Sequence, residues 1–356
     1  MTDFEEIYKD IKEAKEGKNR SIPIGIDKLN DYAAFREKMF VLLFSTSGAG
    51  KSKLSSEMML NACEYHMNNP ESYKPKFIMF SMERSKKFQL CNWIIRRIFL
   101  DTGTTIFISK LLGWTDNKLT DEELKLVEDY EEYVERLLAD YITIYEGAKT
   151  PNEIDKILKK EFEDLGVIEN NKYTANDSNI LPIIIIDHGN LTKTNTQYPT
   201  KKQAIDGLTE IMQRQRDFYS ANILWVAQIN RSISSLAGNK DSEVEPSLES
   251  IRDSGDTGMA VDLAISLFDP LKYKQSSKTG YNPVDFVCPT TGSNFFRSVQ
   301  IVKSTYFSDS IRIALAFNGF ISQFKTLPKR KDLSDLQYQN LYKSVINKSY
   351  FLQKDK

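Results

Sequence analysis

The chain has 356 residues, of which 40% are hydrophobic and 27% charged, and 48 Lys and Arg nearly balance 49 Asp and Glu. This length allows one large or two ordinary domains, and the apolar fraction is enough for a proper core, which excludes disordered, collagen-like and coiled-coil classes. The formal net charge of −1 also argues against a protein that coats nucleic acid, so any contact with DNA would have to be local.

The composition favours a soluble protein of a reducing, cytoplasmic compartment. The aliphatic run Ile183–Ile186 is far too short to cross a membrane, and the acidic N-terminus does not resemble a signal peptide. Three widely spaced cysteines form neither a disulfide framework nor a zinc motif, and two histidines cannot build a multi-histidine metal site.

The predicted elements alternate between helices and buried strands. In chain order they are a helix over 4–14, a strand over 39–44, a helix over 53–67, a strand over 76–81, a helix over 88–100, a capped helix from 120, a strand over 141–145, a capped helix from 150, a loop over 169–179, a strand over 181–186, a helix over 203–219, a strand over 222–227, a polar loop over 230–247 and strands over 260–268, 298–303 and 311–317. Such alternation predicts a mostly parallel α/β sheet flanked by helices, with the late strands antiparallel at one edge.

Charge is distributed unevenly along the chain. Residues 325–356 carry eight Lys or Arg and three acids, whereas residues 116–140 carry ten acids and three bases. The basic C-terminal segment is interpreted either as a solvated terminal helix or as an appendage that contacts a partner or nucleic acid.

The strongest chemical signal follows the strand over 39–44. Residues 45–52 form a candidate phosphate loop, in which small and glycine residues let backbone N–H groups surround phosphates, and the next helix adds its positive N-terminus. Lys51 is expected to reach the β- and γ-phosphates, and the Ser52 hydroxyl to hold Mg²⁺. The standard phosphate-loop pattern has glycine where this chain has Ser45. The predicted nucleotide-binding residues are Ser47, Gly48, Ala49, Gly50, Lys51, Ser52 and Lys53.

Three further strand ends carry polar side chains suited to nucleotide hydrolysis. Asp187 ends the run of four isoleucines, where a carboxylate beside the phosphate loop can bind Mg²⁺. Glu83 lies just beyond the strand over 76–81 as a candidate base, the alternative being a solvated surface glutamate. Gln228 ends another strand and is either a γ-phosphate sensor or a capping amide.

These blocks resemble the RecA-fold motor domain of DnaB-type replicative helicases, in order and spacing, over residues 4–325. The matching blocks are 22–29, the phosphate loop, 81–83, 186–187, 228–231 and 252–255. That family often lacks the first glycine of the loop, so Ser45 fits it. The resemblance implies that Glu83 is the catalytic base, Asp187 the Mg²⁺-binding acid and Gln228 the nucleotide sensor linked to the DNA loops.

The resemblance also implies residues that bind single-stranded DNA. The family holds the DNA backbone with an arginine–acid–x–glycine element in the central channel, matched here by Arg252, Asp253 and Gly255, with Arg231 assigned to the same interface. Six subunits that each supply a few groups would make a binding ring without a basic exterior. The alternative is that Arg252 pairs with a neighbouring aspartate on the surface.

Two departures from the family pattern bear on activity. The chain has only the linker-like helix over 4–14 where the family has a separate helical domain that contacts primase. The family also sends a Lys-x-Arg pair to the neighbour's γ-phosphate, and here Lys303 is followed by Thr305 in place of the arginine. Another residue, with Arg312 and Arg297 as candidates, would have to replace that arginine, or hydrolysis is slow.

The sequence therefore predicts a linker helix at 1–20, a RecA-like ATPase domain at 21–327 and a basic tail at 328–356. The leading hypothesis is an ATP- and Mg²⁺-dependent replicative helicase of phage-like form, a homohexamer on single-stranded DNA that moves 5′ to 3′ by resemblance. A primase or a helicase loader is a possible partner, and no membrane is involved. The alternatives are a RecA-fold recombinase or recombination mediator, and an ATP-binding regulatory or assembly protein with little turnover.

Overall fold

The centre of the computed structural model is a nine-stranded sheet with the order β13-β12-β11-β10-β3-β9-β8-β4-β5. The structure describes residues 3–16, 21–229, 246–248, 255–307 and 311–353. The strands are β1 (Ser21–Ile22), β2 (Phe35–Arg36), β3 (Phe40–Ser45), β4 (Lys74–Ser81), β5 (Ile142–Glu146), β6 (Gly166–Glu169), β7 (Lys172–Ala175), β8 (Ile180–Asp187), β9 (Asn222–Gln228), β10 (Leu263–Phe268), β11 (Phe296–Ser304), β12 (Arg312–Asn318) and β13 (Gln323–Thr326).

Helices cover both faces of this sheet. They are α1 (Asp3–Lys15), α2 (Asp27–Ala33), α3 (Lys51–Asn68), α4 (Lys86–Thr102), α5 (Ile108–Leu111), α6 (Asp121–Asp129), α7 (Glu131–Arg136), α8 (Pro151–Leu165), α9 (Lys201–Tyr219), α10 (Gly255–Ala260), α11 (Asp335–Ile346) and α12 (Ser349–Leu352). Among the described residues, no helix is long and apolar enough to cross a membrane.

Six neighbouring strands, from β5 to β10 in the sheet order, are parallel, and β11, β12 and β13 continue the sheet antiparallel. The prediction of a mostly parallel sheet with an antiparallel edge is confirmed. Both faces are buried, as β3 illustrates: Val41 and Leu43 pack into the cluster with α3, while Phe40, Leu42 and Phe44 pack into the cluster with α8 and α9. Burial on both sides explains why the parallel strands read as continuous apolar runs.

The predicted helix starts at Thr120 and Thr150 are confirmed as capping boxes. In each, the threonine hydroxyl accepts the N–H of the glutamate three residues on, and that carboxylate accepts the threonine N–H. These reciprocal bonds satisfy two backbone donors that the first helical turn would leave unpaired. Pro151 occupies the first position of α8, where no N–H is needed.

Two details of the predicted layout are wrong. The segment expected to be a loop over 169–179 instead begins with a hairpin of β6 and β7, whose two-residue turn places Asn170 and Asn171 at φ 52° and 57°. Asparagine tolerates this left-handed region, so the Asn-Asn pair was a hairpin signal in the sequence. The strand expected from residue 260 begins at Leu263, because residues 255–260 form α10.

The predicted N-terminal helix is confirmed, and its apolar stripe faces solvent. Phe4 is 71% exposed, Ile7 56% and Ile11 57%, and the Phe4 ring stacks on Tyr8 of its own helix. An amphipathic helix gains most of its stability from burying such a stripe. Helix α1 therefore presents an unburied apolar face in this single chain.

The basic C-terminal segment is helical as predicted, but it is not a solvated helix. Val345 of α11 is 0% exposed and Phe351 of α12 is 2% exposed, in one cluster with Ile95 and Phe99 of α4. The Tyr338 hydroxyl donates to Asp285 at 2.6 Å, which fixes α11 to the segment before β11. Residues 328–353 therefore pack as part of the same core.

Replacing Phe351 by alanine is expected to destabilise the protein by about 3–5 kcal/mol, the usual range for removing a fully buried phenylalanine. Denaturant unfolding measures the effect. Leu336→Ala is the matched control, because Leu336 lies on α11 but is 68% exposed, and it is expected to cost under about 1 kcal/mol. Equal stability of Phe351→Ala and wild type would contradict the packed arrangement of α12.

Candidate nucleotide site

The polar groups predicted from four strand ends meet at one edge of the sheet. Register explains why: Ser45 of β3 pairs with Gln228 of β9, and Ser81 of β4 pairs with Asp187 of β8. The carboxyl ends of parallel strands point to the same edge of the sheet. In open α/β sheets, a crevice that binds ligands forms at this edge, at the point where the strand order reverses. The phosphate loop lies in that crevice, between β3 and the start of α3.

The loop conformation requires both of its glycines. Gly48 has φ 80° and Gly50 has φ 109°, a region that residues with a Cβ rarely adopt. A Cβ at Gly50 would also lie 3.2 Å from the rings of Phe317 and Phe324. Ser45 is still part of β3 and has an ordinary negative φ, so glycine is not needed there.

Helix α3 begins at the loop without a side-chain cap. Its N-cap is Gly50, which has no side chain to bond the first-turn N–H groups, and α3 runs for 18 residues. The first N–H groups of a helix have no partner within the helix, and its dipole makes that end positive. This end of α3 is therefore suited to bind phosphate, as the sequence predicted.

Ser52 and Asp187 come together as a candidate magnesium pair. The Ser52 hydroxyl donates to Asp187 Oδ1 at 3.0 Å, and both residues are buried. Burial raises the pKa of the Asp187 carboxyl, while the Ser52 bond and the Lys51 charge oppose that rise. A hydroxyl and a carboxylate are two oxygen ligands of the kind that Mg²⁺ uses beside phosphates, so the residues fit the ion.

Lys51 and Glu83 flank this pair. Lys51 is 7% exposed; burial lowers the pKa of its ammonium, while the charges of Asp187 and Glu83 counteract that shift. Glu83 keeps half of its side chain exposed, and its Oε2 lies 3.6 Å from His188 Nε2. Burial and the Lys51 charge lower the pKa of His188 to about 4, so the imidazole is neutral near pH 7. A carboxylate open to water beside the phosphate loop has the position of a base.

Gln228 lies beside the loop with a partner that the sequence did not reveal. Its backbone N–H donates to the Asn190 side chain at 3.0 Å. Asn190 follows Asp187 by three residues in a short turn, so it links the ends of β8 and β9. No local pattern identifies Asn190, because its partner is 38 residues away in sequence.

Lys53 and Arg297 have different positions from those expected. The Lys53 ammonium donates to the Gly319 carbonyl, and its N–H donates to the Gly50 carbonyl at 3.0 Å. Arg297, a candidate for the missing arginine, is 5% exposed and donates through Nε to the Ala49 carbonyl at 2.8 Å. Arg297 thus supports its own phosphate loop and is buried too deeply to serve a neighbouring subunit.

Lys303 lies toward the amino ends of the parallel strands, whereas the phosphate loop follows their carboxyl ends. It pairs in the sheet with Ala264, near the start of β10, and its ammonium donates to the Gly258 and Met259 carbonyls at 3.2 and 2.9 Å. Arg312 pairs with Gln300 on the adjoining strand. Lys303 therefore does not belong to the phosphate-loop edge of its own chain. Gln300 pairs with Ser266 and Ser266 with Phe44, so Arg312 lies in the row next to that of Ser45, on the third strand from β3, and stays a candidate for action on a neighbour.

The predicted DNA-contacting residues fall mostly outside the described part of the chain. Arg231, Arg252 and Asp253 lie outside the described residues, as does most of the polar loop over 230–247. Gly255 begins α10. Thr257 of that helix shares a 2.7 Å hydrogen bond with Thr209 of α9, which joins α10 to the main body.

The fold matches those of known ATPase domains. The chain is similar to a solved structure described as an ATPase domain, with a TM-score of 0.67, 15% identity, and coverage of 92% of this chain and 100% of that one. It is also similar to a DnaB-like replicative helicase studied with its interactions with primase, with a TM-score of 0.67, 17% identity, and coverage of 92% of this chain and 68% of that one. No protein-family model and no curated protein matches the chain.

These similarities establish a shared fold. The predicted RecA-like architecture, a parallel sheet with the phosphate loop after a central strand, is confirmed.

Proposed function

We propose that this chain is the ATP-hydrolysing motor of a DnaB-like DNA helicase that acts in replication. The observation that carries the proposal is the edge where Lys51, the Ser52–Asp187 pair and Glu83 meet, within a fold shared with helicase ATPase domains. A fold alone does not imply an activity, whereas this set of groups has the composition that phosphoryl transfer to water needs.

Each group has a defined part in hydrolysis. The start of α3 and the Lys51 ammonium bind the β- and γ-phosphates and favour the charge that builds up on them. Ser52 and Asp187 would hold Mg²⁺, which would neutralise phosphate charge. Glu83 orients the attacking water and accepts its proton. Gln228, on the strand next to Ser45, reports the presence of the γ-phosphate to the segment that follows β9.

We further propose a homohexameric ring with ATP at the subunit interfaces. Two observations support this: Lys303 lies at the sheet edge away from its own phosphate loop, and the apolar stripe of α1 is exposed. In a ring, Lys303 would reach the neighbour's γ-phosphate and α1 would bury its stripe on the adjacent subunit. Single-stranded DNA would pass through the channel and contact Arg231, Arg252, Asp253 and Gly255. Primase or a loader would bind the ring from outside.

ATPase and strand-displacement assays test the proposal. ATP turnover is expected to need Mg²⁺ and to rise when poly(dT) single strands are added. A forked duplex with a 5′ tail is expected to be unwound, and one with only a 3′ tail is not. Absence of any DNA stimulation would rule out the motor function.

Two other outcomes would favour other members of the same fold class. Filaments rather than closed rings in negative-stain images would favour a recombinase or recombination mediator. Tight ATP binding without turnover would favour a regulatory or assembly protein, which Thr305 at the expected arginine position also suggests.

A further inference from the structure

A second lysine reaches the phosphate loop from the same chain. The Lys272 ammonium donates to the Ser47 carbonyl at 2.5 Å, although the two residues are 225 positions apart. A Cβ placed at Gly48 would lie 3.3 Å from the same Nζ. No sequence motif identifies Lys272, because it lies in the segment after β10, far along the chain from the loop.

The fold holds this lysine in place. Leu267 near the end of β10 pairs with Ser45 of β3, so the segment after β10 begins beside the phosphate loop. Asp269 is 6% exposed and accepts the backbone N–H of Lys272 at 3.2 Å. The same carboxylate pairs with Arg297 at 3.2 Å, and Arg297 bonds the Ala49 carbonyl. One buried acid thus holds the turn at Lys272 directly and, through Arg297, the backbone of the phosphate loop at Ala49.

The surroundings leave the ammonium suited to a stronger acceptor. In this structure it bonds the neutral carbonyl of Ser47 in the phosphate loop. A hydrogen bond from an ammonium to a phosphate oxygen is charge-assisted and roughly twice as strong as one between neutral groups. The flexible four-carbon stem of lysine allows the ammonium to move from the carbonyl to a bound phosphate without moving the backbone.

We propose that Lys272 is a catalytic residue that acts in cis, with its ammonium on the γ-phosphate of ATP bound to the same chain. This inference rests on the proposed ATPase function and explains how turnover proceeds with Thr305 in place of the neighbour's arginine. The lysine stabilises the charge that spreads over the γ-phosphoryl oxygens as the bond to the β-phosphate breaks and water attacks.

Steady-state ATP hydrolysis by the full chain tests the assignment. Lys272→Gln is expected to lower kcat by about 100-fold, the effect of removing one preorganised donor, with a smaller change in KM. Lys272→Arg keeps the charge and is expected to recover most of the rate. Lys274→Gln is the matched control, because Lys274 is an exposed lysine of the same turn, and it is expected to hydrolyse ATP at the wild-type rate.

Two measurements separate a catalytic role from a structural one. The thermal midpoint and the ADP affinity of Lys272→Gln are expected to equal those of wild type, since neither depends on the γ-phosphate. Loss of both together with kcat would overturn the catalytic assignment and show that the lysine only shapes the loop.

A mixing experiment tests action in cis. Subunits with Lys272→Gln are combined with subunits carrying Lys51→Ala, which have a defective phosphate loop but an intact Lys272. No gain in ATP turnover is expected, whereas a gain would show that Lys272 serves a neighbouring subunit. If wild type hydrolyses ATP and Lys272→Gln does so equally fast, this inference fails and the proposed function stands. If wild type does not hydrolyse ATP, the proposed function itself fails.

Discussion

Replacing Glu83 by glutamine is expected to lower ATP turnover by about 10²–10⁴-fold, the range for losing a general base. ATP binding is expected to persist, because Glu83 is half exposed and its proposed part is to orient the attacking water rather than to bind the phosphates. The amide has nearly the shape of the carboxylate but cannot accept a proton from water. Single-turnover hydrolysis, together with titration of a fluorescent ATP analogue, separates the two effects.

Glu135→Gln is a suitable control, because Glu135 is an exposed glutamate on α7, away from the strand ends. It is expected to behave as wild type. Wild-type turnover by Glu83→Gln would remove Glu83 from the mechanism and leave the base unidentified.

Replacing Lys51 by alanine is expected to abolish ATP turnover and to weaken ATP binding by roughly 10- to 150-fold, corresponding to about 1.5–3 kcal/mol for a hydrogen bond to a charged group. The change removes an ammonium from the loop and also a positive charge that opposes the raised pKa of Asp187. Equilibrium dialysis with ATP measures binding, and phosphate release measures turnover.

The thermal midpoint must be recorded for the same variant, because Lys51 is buried. Lys87→Ala, at an exposed lysine in the first turn of α4, is expected to retain turnover. Hydrolysis by Lys51→Ala at more than a tenth of the wild-type rate would show that the phosphate loop is not the site of chemistry.

The local signals in the sequence were sufficient to predict which strand ends lie together at one edge of the sheet. The phosphate loop, Asp187 and Glu83 each follow a strand of continuous apolar residues, and parallel strands bring such ends to one edge. The capping boxes at Thr120 and Thr150 involve residues three apart, so the chain carries both partners in one short segment. The resemblance to DnaB-type motors predicted the architecture, which the shared fold confirms.

The errors arose where several structures suit one local pattern. A polar stretch is compatible with a loop or a hairpin, and the signal for the hairpin was the Asn170-Asn171 pair, which takes the left-handed φ values of the turn between β6 and β7. The C-terminal segment was interpreted through its charge, although Val345 and Phe351 are the residues that decide where it packs. Charge describes the outer face of a helix, whereas packing depends on its apolar face.

The sequence by itself determined the nearly neutral charge, the alternation of elements and the presence of a phosphate loop with an acid and a candidate base. Only the tertiary structure decided that Arg297 and Lys53 serve their own chain, that Lys303 lies at the other sheet edge, and that Lys272 reaches the loop. Those contacts join residues more than two hundred positions apart, or depend on which strands are neighbours. Strand order and register create them, and no local pattern of residues specifies either.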